Sequence, residues 1–104
     1  MRYPSFILLL LVLFSFAAPA ATGDAKIGER KALICAGCHG KDGVGIAPTI
    51  PNLAGQKQEY LELQLMAFRA GIRKNMQMTP MAKSLTDDDI KNIAAFYAAL
   101  PAKK

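Results

Sequence analysis

Both cysteines and the only histidine of this chain fall within five consecutive residues, Cys35-Ala-Gly-Cys38-His39. That clustering constrains the fold more than any other feature. A chain of 104 residues has room for one small domain. A domain that small builds a modest core, and it commonly needs a staple, a metal or a cofactor. Four chemistries compete for the cluster. A redox-active Cys-x-x-Cys needs a strand-then-helix context, and no stretch here alternates as a strand does. A structural zinc site has three ligands available and no fourth Cys or His to close it. A plain disulfide would leave the adjacent histidine incidental. The fourth is Cys-x-x-Cys-His, the attachment signal for haem of the c type.

The spacing favours the fourth reading on physical grounds. Thiols three residues apart on one helical turn share a face. They can reach two vinyl groups along one side of a porphyrin and form thioethers. The next residue, His39, then offers its imidazole to the iron. The tether would also supply the staple that the short chain lacks.

The start of the chain fits export. Arg2 precedes "SFILLLLVLFSFAA", whose apolar run from Phe6 to Ala18 suits a signal-peptide core and is short for a membrane span. Ala18-Pro19-Ala20 is a small-x-small cleavage site. The expectation is a signal peptide over residues 1–20 and a single domain over 21–104, with a net charge of +4. No membrane span remains after cleavage, and c-type attachment takes place outside the cytoplasm.

Within that domain the patterns are helical. Asp24 caps a first helix over about 25–34, with Ile27, Leu33 and Ile34 as its apolar members. Residues 40–55 form a long loop punctuated by glycine and proline. A second helix covers about 57–70, with Tyr60, Leu61, Leu65 and Phe68 on one face and Gly71 as its stop. "GIRKNMQMTPMAKS" reads as a second loop. The last helix starts at the N-cap Thr86 with Asp89 completing a capping box, and Leu85 and Ile90 are placed as a hydrophobic staple. Ile90, Ile93, Ala94 and Tyr97 then recur at helical spacing, and Pro101 lies past the end. The domain is all-α.

His39 leaves a sixth iron position to fill. With no second histidine, the candidates are methionine, lysine, water or nothing. Met76, Met78 and Met81 crowd a polar stretch about 40 residues downstream, a poor pattern for core filler. A thioether is a soft, neutral ligand that favours ferrous iron and blocks the position where a substrate would bind.

On these motifs the chain resembles the class I cytochromes c, in particular the short bacterial periplasmic kind and a single half of the diheme bacterial cytochromes c. "GDAKIGERKALICAGCHGKDG" resembles the first helix and haem site, "PTIPNLAGQ" the proline loop, and "MTPMAKSLTDDDIKNIAAFYAAL" the methionine loop and last helix. The resemblance implies a small cytochrome c fold, three main helices and long loops around one covalent haem c. It implies thioethers at Cys35 and Cys38, axial ligation by His39 and Met78, and a hydrogen bond from His39 to the Pro51 carbonyl. Leu53 and Met81 would line the pocket. Gly28 would be the contact between first and last helices, facing Phe96 and Tyr97. The absence of tryptophan departs from mitochondrial relatives and leaves Gln56, Arg73 and Lys74 as candidate propionate partners.

The function implied is a monomeric, periplasmic one-electron carrier that meets redox proteins transiently at an exposed haem edge. A subunit of a larger dehydrogenase or oxidase complex is the alternative. A small peroxidase or gas sensor would need an open sixth position and a polar distal group. No basic stripe interleaved with aromatics suggests nucleic acid.

Overall fold

The computed structural model describes residues 1–4, 10–16 and 23–104. The expected cleavage site at Ala18-Pro19-Ala20 lies outside them, as does part of the apolar run before it. Residues 10–16 carry no regular secondary structure and expose their large apolar side chains. Among the described residues there are five helices and no strand: α1 (Ala25–Lys31), α2 (Leu33–His39), α3 (Gln58–Arg69), α4 (Met78–Lys83) and α5 (Asp87–Ala99).

The Asp24 carboxylate opens α1 by accepting from the amides of Lys26 at 2.9 Å and Ile27 at 3.2 Å. The helix expected over 25–34 ends earlier. At Ala32 (ψ 0°) the chain tightens, with Cys35 N–H donating to the Ala32 carbonyl at 2.9 Å, and continues as α2 through the Cys-x-x-Cys-His motif. The apolar face also differs from the expectation. Gly28 and Ala32 are buried, whereas Ile27, Leu33 and Ile34 point outward at 38%, 72% and 59% exposure.

The reason is the crossing of α1 with α5. A Cβ on Gly28 would sit 1.8 Å from the Asn92 carbonyl oxygen and 3.0 Å from the Ile93 nitrogen. Gly28 therefore meets the backbone at Asn92 and Ile93, one turn before the Phe96 and Tyr97 expected. Backbones this close leave room only for small residues, so the large side chains of α1 face elsewhere. The crossing is pinned at both ends. The Asp24 amide donates to Asn92 Oδ1 at 2.7 Å, and Lys31 pairs with Asp89 at 3.4 Å.

On α3, Leu61 and Phe68 are buried and Leu65 is partly so; Tyr60, expected on that face, is nearly half exposed. The helix stops at Gly71, whose amide donates to Phe68 O, while Ile72 N–H reaches Ala67 O. The second expected loop contains a helix, α4. Asn75 Oδ1 accepts from the amides of both Gln77 and Met78 at 2.9 Å, doing the work of a cap. Pro80 then falls in the first turn, where its missing N–H has no intrahelical partner to lose.

The capping box of α5 is complete. Asp89 N–H donates to Thr86 Oγ1 at 3.0 Å, and Thr86 N–H donates to Asp89 Oδ2 at 3.1 Å. Ile90, Ile93, Ala94 and Tyr97 are all buried. The central cluster joins Ala32, Leu61, Ile93, Ala94 and Tyr97, with Cys35, Leu53 and Leu85 packed on its rim. Among the described residues, four of the nine buried apolar ones are alanines, so protein side chains alone make a thin core. Helix α5 packs on α1 and α3, and α4 packs on α3. The motif helix α2 comes close in backbone only to α1, and its Cys35 side chain reaches the central cluster.

Candidate cofactor site

Helix α2 places Cys35, Cys38 and His39 on consecutive turns. Cys35 is half-buried against the core and Cys38 is exposed, and the two thiols are not bridged. His39 is the only buried polar or charged residue among those described, at 7% exposure. The helix ends at once because Gly40 turns the chain at φ 81°. A side chain there would be strained, and its Cβ would lie 2.0 Å from Val44 O.

The loop after Gly40 has no regular structure yet is tied tightly to itself. Ile46 N–H donates to Cys38 O at 3.0 Å, Leu53 N–H to Gly43 O at 2.7 Å, and Gly45 N–H to Asn52 Oδ1 at 2.8 Å. Gly55 N–H closes the loop onto Tyr97 O of α5 at 3.0 Å. This lacing delivers the Pro51 carbonyl to His39, whose Nδ1–H donates to it at 2.9 Å. A carbonyl can only accept, so the proton belongs to Nδ1. The lone pair available for a metal is then on Nε2.

Met78 opens α4 and is partly buried; Met81, one turn on, is 39% exposed, and Met76 is outside the helix at 90%. The Asn75 contacts hold the backbone of Met78. A second clasp strengthens them, with Asn75 N–H donating to Thr79 Oγ1 at 2.9 Å and Thr79 N–H to Asn75 O at 3.1 Å. Sequence reasoning missed Asn75 and Thr79. Their signal was an Asn three residues before a methionine, the register of a local side-chain cap. Leu53 lies on the core rim. Of the candidate propionate partners, Gln56 Oε1 accepts from Lys57 N–H, and Arg73 is engaged by Gln64 at 2.6 Å and by the Phe68 ring at 4.6 Å.

One polar atom is left over. Tyr97 is 1% exposed, and its hydroxyl has no hydrogen-bond partner among the described residues. It neighbours Cys35. Burial and the adjacent thiol push the tyrosine hydroxyl well above its usual range. Burial raises the Cys35 thiol, and Tyr97 draws it part of the way back. An unpartnered buried hydroxyl costs about 1–3 kcal/mol.

Together these residues fit a covalent haem. Two free thiols on one helix could take thioethers, a buried imidazole presents Nε2, and a thioether donor stands on a helix whose backbone does not approach α2 closely. The donor set of one imidazole and one thioether is that of a low-spin haem iron. No cluster of three His, Cys, Asp or Glu side chains placed to hold a bare metal ion occurs among the described residues.

Comparison with known proteins agrees. The Cytochrome c family description matches residues 28–100. The chain is 51% identical to cytochrome c-554(548) of Halomonas halodenitrificans over 80 residues, which are 74% of this chain and 96% of that protein. It is 37% identical to the cytochrome subunit of sulfide dehydrogenase of Chlorobaculum tepidum, over 86% of each chain. Among solved structures, reduced cytochrome c4 from Pseudomonas stutzeri superimposes with a TM-score of 0.72 at 40% identity, covering 76% of this chain and 46% of that one. The chain thus spans nearly all of the first relative and about half the length of the c4 proteins. The match runs from Gly28, at the crossing of α1 and α5, to Leu100, just past α5, and encloses every residue of the site: the chain belongs to the cytochrome c family, whose members carry covalently bound haem c.

Proposed function

We propose that this chain is an exported one-electron carrier holding a single haem c, tethered through Cys35 and Cys38 and ligated by His39 and Met78. The observation that carries the reading is the bond from His39 Nδ1 to the Pro51 carbonyl. It fixes the tautomer, aims the ring and raises its basicity as a ligand, a role that any ligating histidine needs filled.

The chemistry that haem c supplies when bound is the gain and loss of one electron at iron. The chain does the rest. Cys35 and Cys38 tether, the loop to Pro51 holds the imidazole, and the Asn75–Thr79 clasp holds the backbone of Met78. Leu53 and Met81 exclude water from the pocket. His39 and Met78 would both be engaged in holding the haem, and the chain has no second histidine to serve as a distal group. The site suits electron transfer and not turnover of a bound substrate.

The apolar run before Ala18-Pro19-Ala20 supports delivery to the periplasm. Among the described residues no helix is long and apolar enough to cross a membrane. The mature chain acts as a monomer and meets redox proteins transiently at the haem edge. Lys74 and Lys83 line an open cleft between the end of α3 and α4. They give the methionine side a basic rim, so partners with acidic faces and salt-sensitive association are expected. A second reading, a resident subunit of a dehydrogenase, is favoured by the similarity to the Chlorobaculum subunit over 86% of each chain.

Visible spectroscopy of both oxidation states and a carbon monoxide challenge test the proposal together. The matured protein should be low-spin in both states and take up one electron reversibly. The reduced form should resist carbon monoxide at neutral pH. Met78→Ala should keep the haem attached and bind the gas at once. Rapid stoichiometric binding by the wild type would overturn ligation by Met78. Gel filtration of the native extract separates the free carrier from the resident subunit.

A further inference from the structure

The buried hydroxyl of Tyr97 has no role in the site as described so far. The position is one where phenylalanine would pack as well. Tyr97 sits among Ala32, Leu61, Ile93 and Ala94, none of which carries a polar side chain. Among the described residues the hydroxyl is buried with no partner at full hydrogen-bond geometry, which is unfavourable unless something completes it. Cys35 packs on the same cluster and is its sulfur-bearing neighbour.

We propose that Tyr97 is a tuning residue of the haem site, its hydroxyl donating to the sulfur of Cys35 once that sulfur is held in a thioether. This rests on the haem reading given above. A free thiol can donate or accept, whereas a thioether has only lone pairs, so attachment fixes the tyrosine as donor. An O–H dipole aimed at a sulfur on the porphyrin edge draws electron density outward. That favours the state with the extra electron, so the hydroxyl raises the reduction potential. Cys38 is exposed and Cys35 half-buried, so the tuning acts on the Cys35 tether.

The test is Tyr97→Phe in the full-length matured protein, with haem content, spectra, potential and thermal unfolding measured in both oxidation states. Haem should stay attached with an unchanged low-spin spectrum. At a fixed poise the ferrous-to-ferric ratio should fall about two- to fivefold, or about 20–40 mV at 59 mV per tenfold for one electron. The ferrous form should lose more thermal stability than the ferric form. Incorporating a fluorinated tyrosine at position 97, a stronger donor of similar size, should move the potential the opposite way and serves if Tyr97→Phe matures poorly. An unchanged potential in a red, stable variant overturns the proposal alone. So does an equal loss of stability in both oxidation states without a potential shift. A colourless wild type removes the haem reading and this proposal together.

Discussion

Asn75 makes its hydrogen bonds within its own turn, and through them it decides where the backbone of Met78 stands. Its side chain takes the amides of Gln77 and Met78, and its backbone and Thr79 hold each other across one turn. Asn75→Ala removes two acceptor contacts at the start of a six-residue helix too short to be stable alone. By analogy with lost caps, the cost is about 1 kcal/mol, or about a fivefold rise in the population with Met78 displaced. The expected result is a normal low-spin spectrum at rest with carbon monoxide association about five times faster than wild type, read by stopped-flow. An unchanged rate would mean that α4 is held by its packing on α3 instead. Gly28 acts at the same scale by what it lacks. Gly28→Ala drives a methyl into the Asn92 carbonyl, and backbone cannot rotate aside as a side chain does. The two helices must separate, with an expected loss of about 1–3 kcal/mol in denaturant unfolding and an unchanged spectrum in the variant that folds.

The helices differ in how openly the chain announces them. Helix α5 carries its own signals, a cap, a box partner and an unbroken 3.6-residue stripe, and every stripe residue is buried as expected. Its strength is local, so it was legible. Helix α4 was not, because its cap lies two residues before the N-cap position and its proline looked like a breaker until its place in the first turn was known. The outward turn of Leu33 and Ile34 was equally hidden. It follows from the closeness of α1 to α5, a tertiary fact that overrides the stripe. The motif Cys35-x-x-Cys38-His39 was plain in the sequence. The arrival of Pro51 beside it came only through the family resemblance, since the lacing of residues 40–55 has no period to read. The cap of α5 also sets a pH response. The Thr86 amide, and then Lys31, hold the Asp89 carboxyl below its usual range. A carboxylate stabilised in this way adds stability above its unfolded value, about 3.9. That contribution is lost as pH falls from there through the folded value. Asp89→Asn should therefore lower Tm most at neutral pH, with the gap to wild type closing below about pH 4. A gap that stays constant with pH would assign the effect to packing.

At the scale of the whole molecule the question is what joins α2 and α4 in one fold. These helices carry His39 and Met78, and their backbones do not approach each other closely. The buried residues are too small and too few to bridge them, four alanines among nine. Isolated seven- and six-residue helices do not persist in water without tertiary support. If haem is the missing central packing, the polypeptide without it has lost its largest apolar contact as well as the link between its two sides. A variant with both Cys35→Ala and Cys38→Ala, exported by a host that matures c-type cytochromes, should then be colourless. Its near-ultraviolet circular dichroism should be weak and its thermal unfolding should lack a cooperative transition. Helix α5 and its crossing with α1 are the parts expected to keep residual structure, because the contacts at Gly28, Asp24 and Lys31 join them directly. Cooperative unfolding of the colourless variant, with dispersed amide resonances in residues 40–55, would show that the loop laces itself. In that event the core of Leu61, Ile93 and Tyr97 suffices, and the cofactor is a passenger on a fold that stands without it.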